Sequence, residues 1–264
     1  MSFIILTFFL FIIVRHNYFW KARHDIIFKS NKPTIIAHRG CTRNYPENTT
    51  ASFVDAVKYG FNFIEFDVCH LKDGTLICSH NWDLERETDG KDWVHNINKS
   101  DLSLIKTGVY SHPKNLQPIP TLKDVLKKLP DNINLNIEIK CKSVFDFSTA
   151  ISIGKLFKSG KIKHSFIVSC FNPFVIGYLR LFYPSIYVGY LVDDKRMFNF
   201  IKWIHPDYLH IDAALIDNKI FNYCDSHSVG INVWTVNSVD AAEWCLDKKV
   251  LGIITDNYQL LEVV

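Results

Sequence analysis

Eight short apolar runs recur along this chain, and between most of them lies a stretch long enough for one helix. The runs cover residues 34–38, 61–68, 135–140, 166–170, 186–191, 208–211, 231–236 and 251–255. Helix-length stretches follow at 50–59, 145–158, 173–182, 194–204, 218–227 and 238–247. A parallel partner strand can be reached only by a crossover of about a dozen or more residues, so this alternation predicts βαβ units. Eight of them predict an α/β fold, a (β/α)8 TIM barrel over residues 33–264. An open doubly wound sheet is the alternative. It usually carries a glycine-rich phosphate loop after its first strand, and neither GxGxxG nor GxxxxGK occurs here.

A ninth run, residues 75–80, departs from the pattern. Only Lys72-Asp73-Gly74 separates it from the run before, and an Asp-Gly turn that short makes an antiparallel hairpin. The run is predicted to double back beside the second barrel strand. It opens a small insertion, about residues 75–120, rich in Asn, Asp, Lys, Gly and Pro. A helix at 122–129, begun by Thr121 after Pro120, resumes the barrel.

The N-terminus reads differently. Residues 2–14 are uncharged and almost wholly apolar. A full span wants about 20 residues, which is reached if residues 16–20 lie at the interface with Tyr18, Phe19 and Trp20 as an aromatic belt. No basic stretch precedes the run and no A-x-A-like site follows it, so an uncleaved membrane-anchor helix is expected rather than a secretory signal. Residues 1–24 would be this hydrophobic anchor and its flank. Arg15, Lys21 and Arg23 follow the run, which would place the domain that follows on the cytoplasmic side. The seven cysteines include no CxxC pair and read as small buried hydrophobes in a reducing compartment. A net charge of only +3 argues against nucleic acid as the partner.

Chemistry-bearing residues cluster at strand ends. In Ile64-Glu65-Phe66-Asp67-Val68 the alternation puts both carboxylates on one face and the apolar residues on the other. The apolar face suits the helix layer, so Glu65 and Asp67 look into the barrel. Ile137-Glu138-Ile139-Lys140 repeats the arrangement on the next barrel strand. Three converging carboxylates need cationic compensation, either from Lys140 and Arg39 or from a hard divalent ion. The same inward pattern on two strands favours the ion. His38-Arg39-Gly40 ends the first strand, where active sites of such barrels lie, and Arg39 suits phosphate oxygens. His80 ends the hairpin strand, and His70 is a weaker second candidate. Two histidines beside a cation and an arginine can take a proton from an attacking hydroxyl and return one to a leaving alkoxide.

In order and spacing, His38-Arg39-Gly40, Pro46-Glu47-Asn48-Thr49, Glu65-Phe66-Asp67-Val68, Asp73-Gly74, Ser79-His80, Glu138-Ile139-Lys140, Trp234-Thr235-Val236-Asn237 and Thr255-Asp256 resemble the glycerophosphodiester phosphodiesterases over residues 34–260. The resemblance implies Ca2+ or Mg2+ held by Glu65, Asp67 and Glu138. It implies His38 and His80 as the acid–base pair, Arg39 and Lys140 as phosphate contacts and Trp234 as an aromatic at the substrate mouth, where plain barrel packing is the alternative. Glu47 and Asn48 would order the loop, with Asn48 or Thr49 capping the next helix. The family usually has Asp after the second histidine, and here Asn81 stands there. The implied reaction is hydrolysis of small-molecule glycerophosphodiesters to glycerol 3-phosphate and an alcohol. The alternatives are lysophospholipase D action on a lysolipid phosphodiester, or a non-catalytic, membrane-tethered phosphodiester-binding barrel.

Overall fold

The structure, a computed structural model, describes residues 2–23, 27–28, 32–248 and 250–263. The strands are β1 Thr34–His38, β2 Phe63–His70, β3 Leu76–Cys78, β4 Lys106–Thr107, β5 Gln117–Pro118, β6 Asn134–Ile139, β7 Phe166–Cys170, β8 Tyr187–Val192, β9 Tyr208–Asp212, β10 Gly230–Trp234 and β11 Gly252–Thr255. The α-helices are α1 Ser2–Tyr18, α2 Thr50–Tyr59, α3 Lys99–Leu102, α4 Leu122–Lys128, α5 Ser148–Lys158, α6 Pro173–Phe182, α7 Ile201–Ile204, α8 Asn218–His227 and α9 Val239–Asp247. Among the described residues, parallel strands follow the order β1-β11-β10-β9-β8-β7-β6-β2, and β1 pairs with β2 to close the ring. This is the expected eight-stranded parallel barrel.

Local chemistry sets the element boundaries. Thr49 caps α2 by accepting from Ser52 N, and Gly60 ends that helix in the left-handed region at φ 104°. Asn172 caps α6 just before Pro173, and Asp217 and Ser238 cap α8 and α9. The helix expected at 194–204 is reduced to a 3-10 turn, Met197–Phe200, running into the single turn of α7. Here the Asp194 carboxylate accepts from Arg196 N at 2.8 Å and folds the start of the stretch into a turn.

Side chains fill the barrel in layers. At the end where the strands begin, Ile36, Phe63, Ile167, Tyr208 and Ile254 pack with Ile27 and Phe28 from the chain ahead of β1. Above them lies a polar layer. His210 is fully buried, with Nδ1 3.4 Å from Asn136 Nδ2 and Nε2 3.1 Å from Asn232 Nδ2. Gly189 makes the room: a Cβ there would sit 2.6 Å from His210 Nε2. Burial pushes the His210 imidazole down to about 3. The site occupies the layer above, at the strand C-termini.

The hairpin is as expected, with β3 antiparallel to β2 and Val68 opposite Cys78. The strand is shorter than predicted, so His80 lies beyond its end, and Ser79 N donates to Asp67 O at 3.2 Å. The insertion builds its own small core from Leu71, Ile77, Leu84, Val94 and Ile105.

The membrane-spanning anchor is not borne out. Among the described residues no helix is long and apolar enough to cross a membrane, and α1 has 17 residues. The apolar run stops at Arg15, and the residues meant to extend it include one that turns onto the barrel instead. The Trp20 ring is buried and stacks on His205 at 4.4 Å. Ala22 N donates to His227 O at 2.8 Å. Arg23 Nη2 lies 2.5 Å from Asp207 Oδ2, and that buried carboxylate also takes Arg180 at 3.1 Å and Val188 N at 2.9 Å.

Candidate active site

Parallel pairing of β2 with β6 sets Asp67 opposite Glu138. Glu65, Asp67 and Glu138 are all buried, and each offers an oxygen within 4.8 Å of the others. Two cations touch them. Arg39 Nε lies 3.1 Å from Asp67 Oδ2, while its Nη1 donates to both Glu47 oxygens at 2.9 and 3.0 Å. Lys140 Nζ lies 2.9 Å from Asp67 Oδ1 and also bonds Glu138 Oε1. Asn48 clamps Asp67 from the other side. Its Nδ2 donates to Asp67 Oδ2 at 2.8 Å, and its Oδ1 accepts from Asp67 N at 3.0 Å.

The salt-bridge network weighed from sequence is therefore present, and it does not balance the cluster. Burial opposes ionisation of Asp67, but Lys140 and Arg39 outweigh it and hold that carboxyl well below the usual range. Glu65 is left over. Burial and the neighbouring charge of Asp67 push it up to about 8, and its Oε1 has no hydrogen-bond partner among the described residues. Burial also raises Glu138, in spite of Lys140. An orphaned carboxylate oxygen in an all-oxygen donor set fits a hard divalent ion such as Ca2+ or Mg2+. The residues suit the expected metal.

The histidines flank this cluster. His38 Nδ1 lies 2.7 Å from Asp256 Oδ1, which leaves Nε2 directed inward, 3.9 Å from Glu65 Oε2. Asp256 is steadied in turn, accepting from Asn237 Nδ2 at 3.0 Å while its own N donates to Asn237 Oδ1 at 2.8 Å. Burial would discourage a charge on His38, but the Asp256 hydrogen bond and Glu65 outweigh it and raise the imidazole. Among the described residues no carboxylate holds His80 in this way. Its Nδ1 lies 3.2 Å from Asn81 Oδ1, and burial pushes this ring below its ordinary value. His38, His80, Arg39, Glu65, Glu138, Lys140 and Trp234 line one cavity of about 160 Å3, and Asp67 adjoins it through Lys140. All eight residues singled out from sequence thus meet at one mouth. His70 does not. It turns to Thr149 Oγ1 at 2.9 Å and lies outside the cavity lining.

Asn48 and Asp256 stand in the sequence motifs without the roles they take here, and other contributors were missed. Asn48 orients a carboxylate, and the helix cap is Thr49. Asn136 and Phe171 also line the cavity. Trp234 meets Phe171 edge-on at 5.6 Å, so it both packs and lines the mouth. Asp256 could have been found from topology, since it follows the last strand and a closed barrel sets that strand beside the one that ends in His38. Arg39 is itself held in the left-handed region at φ 55°, its N donating to Glu65 O at 2.9 Å and lying 3.2 Å from Glu65 Oε2.

Residues 38–260 match the Glycerophosphoryl diester phosphodiesterase family. A glycerophosphodiester phosphodiesterase of Caldanaerobacter subterraneus subsp. tengcongensis is 30% identical over 239 residues, spanning 87% of this chain and 96% of that protein. One from Bacillus subtilis is 26% identical over 254 residues, spanning 87% and 85%. The solved glycerophosphodiester phosphodiesterase of Thermotoga maritima superposes with a TM-score of 0.70 at 26% identity, over 91% of this chain and 99% of that one. An Oleispira antarctica phosphodiesterase, solved with the product sn-glycerol-3-phosphate, shares the fold with a TM-score of 0.77 at 24% identity, over 88% and 96%. By sequence over most of its length, the chain belongs to the glycerophosphoryl diester phosphodiesterase family.

Proposed function

We propose that the protein hydrolyses glycerophosphodiesters to glycerol 3-phosphate and an alcohol, with a divalent cation held by Glu65, Asp67 and Glu138. One observation carries the reading: three buried carboxylates and two histidines meet on a single cavity at the strand C-termini. The substrate class comes from the names of the relatives. When bound, the ion supplies positive charge for the phosphoryl oxygens. Lys140, and Arg39 with its charge pinned by Glu47 and Asp67, add to that field.

The histidines divide the proton work by their partners. Asp256 fixes the Nδ1–H tautomer of His38 and favours its charged form, so Nε2 is the better donor to a leaving oxygen. His80, beside a neutral amide, is the better acceptor for the attacking hydroxyl. Trp234 and Phe171 wall the cavity and limit water around the reacting group. The scattered, mostly buried cysteines suit small apolar residues in a reducing compartment.

The test is release of glycerol 3-phosphate from glycerophosphocholine by the full chain. Turnover is expected with Mg2+ or Ca2+, lost on chelation and restored by the ion. His80→Ala is expected to lose about 100- to 10,000-fold in kcat. Turnover indifferent to strong chelation would sink the metal assignment, and an undiminished His80→Ala enzyme would sink the proton assignment. Binding of the diester with no turnover under any ion would favour the non-catalytic barrel.

A further inference from the structure

Six of the seven cysteines are buried, and Cys141 is the exception. It lies just past the end of β6, beside Lys140, and Cys170 ends the neighbouring strand β7. Parallel pairing sets Glu138 opposite Ser169, so Ile139 falls beside Cys170. Lys140 and Phe171 line the catalytic cavity, whereas the two thiols line an open hollow of about 480 Å3 next to it. The sulfurs are 3.7 Å apart. Cys170 Sγ is held in place, donating to Ile139 O at 3.3 Å and accepting from Asn172 N at 3.3 Å. Hydrogen bonding with Cys170 holds the Cys141 thiol below its ordinary value, and burial holds Cys170 well above. A partly exposed thiol of thiolate character beside a buried partner is the arrangement of a redox-sensing cysteine and its resolving cysteine. Phosphodiester hydrolysis has no use for either sulfur.

We propose that Cys141 and Cys170 are a modification site, a reversible disulfide that a hydroperoxide installs and that switches off the neighbouring catalytic mouth. The inference goes beyond the phosphodiesterase reading and borrows from it only the readout of turnover. Cys141 Sγ attacks one peroxide oxygen and the O–O bond breaks. A sulfenic acid is left on Cys141, and the other oxygen departs with the thiol proton as water or an alcohol. Cys170 Sγ then attacks the Cys141 sulfur, the S–O bond breaks, and hydroxide leaves with the Cys170 proton as water. The two thiols together give up two electrons, and the peroxide takes them. Bonding draws the sulfurs from 3.7 Å to about 2.0 Å. Cys170 is fixed within its strand, so the movement falls on Cys141, and Lys140 is the residue between it and the end of β6. Lys140 Nζ bridges Asp67 Oδ1, at 2.9 Å, and Glu138 Oε1. Pulling it from that position takes a positive charge away from two of the three buried carboxylates. In a reducing compartment such a bond is transient, as sensing disulfides are.

The full chain is treated with hydrogen peroxide and then with excess dithiothreitol. Each stage is followed by peptide mapping of the thiols and by release of glycerol 3-phosphate from glycerophosphocholine with Mg2+ or Ca2+. A Cys141–Cys170 cross-link is expected, with kcat lowered about ten- to a hundredfold and recovered on reduction. Cys141→Ser and Cys170→Ala, each judged against its own untreated rate, are expected to keep their turnover through the same treatment. Peroxide that leaves both thiols free, or oxidises Cys141 without joining it to Cys170, overturns the inference and leaves the phosphodiesterase reading standing. A mapped cross-link with turnover unchanged also overturns it, as does a loss that persists in both variants. A reduced chain that hydrolyses no diester fails the phosphodiesterase reading instead, and the cross-link map then decides the modification site alone.

Discussion

Asn81 and Asp256 set the two imidazoles apart, one offering an amide oxygen and the other a carboxylate. An acceptor histidine must be neutral to work, so it defines the acidic limb of the pH profile, and a donor defines the alkaline limb. Asn81→Asp places a carboxylate beside His80, favours its charged form and is expected to move the acidic limb to higher pH. Asp256→Asn removes the charge that raises His38 and is expected to move the alkaline limb to lower pH. Profiles of kcat/KM on glycerophosphocholine check both, and limbs that stay in place would refute the division of labour. Gly40 tests the backbone beneath. It holds φ 86°, and a Cβ there would lie 2.6 Å from Ser52 Oγ and 2.8 Å from the Ser52 carbonyl carbon. Gly40→Ala is expected to cost more than about 1 kcal/mol in a denaturant melt and to lower turnover by displacing His38 and Arg39. At this level the metal and proton carriers were legible, because their chemistry is written in residue type and strand parity. Their supporters were not. Asn48 and Asp256 act through contacts 19 and 218 residues away in sequence, which no local pattern encodes.

Pairing of β2 with β6 puts Asp67 opposite Glu138, and a slip of one residue would turn the carboxylates of either strand into the helix layer. The apolar outer face forbids that slip, which is why alternation alone located the cluster. Hairpin β2–β3 was legible for a similar reason, the Asp-Gly turn leaving too little chain for a crossover. The insertion beyond it was legible only as an interval, since its core is assembled from scattered single residues such as Leu84, Val94 and Ile105. The segment after α1 misled in the other direction. Its aromatic and basic residues suit a membrane interface, yet Trp20 and Arg23 are spent on the barrel. Arg23→Ala removes one of two arginines from a buried Asp207 and is expected to cost about 1–3 kcal/mol in a denaturant melt, with KM unchanged. A variant as stable as the parent would show that Arg180 and Val188 N suffice.

For the molecule as a whole, the interior histidine is an acid liability. His210 is held down to about 3, below the usual 6.5 of an unfolded chain. Between those values the unfolded state binds the additional proton, so stability falls as pH falls, by up to about 1.4 kcal/mol per pH unit. Denaturant melts from pH 7 to pH 4 should show this slope, and His210→Asn should flatten it even while lowering stability throughout. An equal slope in the variant would assign acid sensitivity to other groups. Barrel closure was predictable from eight βα units, but the polar layer that fills the interior was not, because Asn136, Gly189, His210 and Asn232 sit on four separate strands. Closure also has a temporal meaning. The contact between His38 and Asp256 joins the first barrel strand to the residue just after the last, so the carboxylates can meet before the ring has closed while this proton carrier still lacks its partner. The alkaline edge of the pH profile thereby doubles as a gauge of ring closure during refolding.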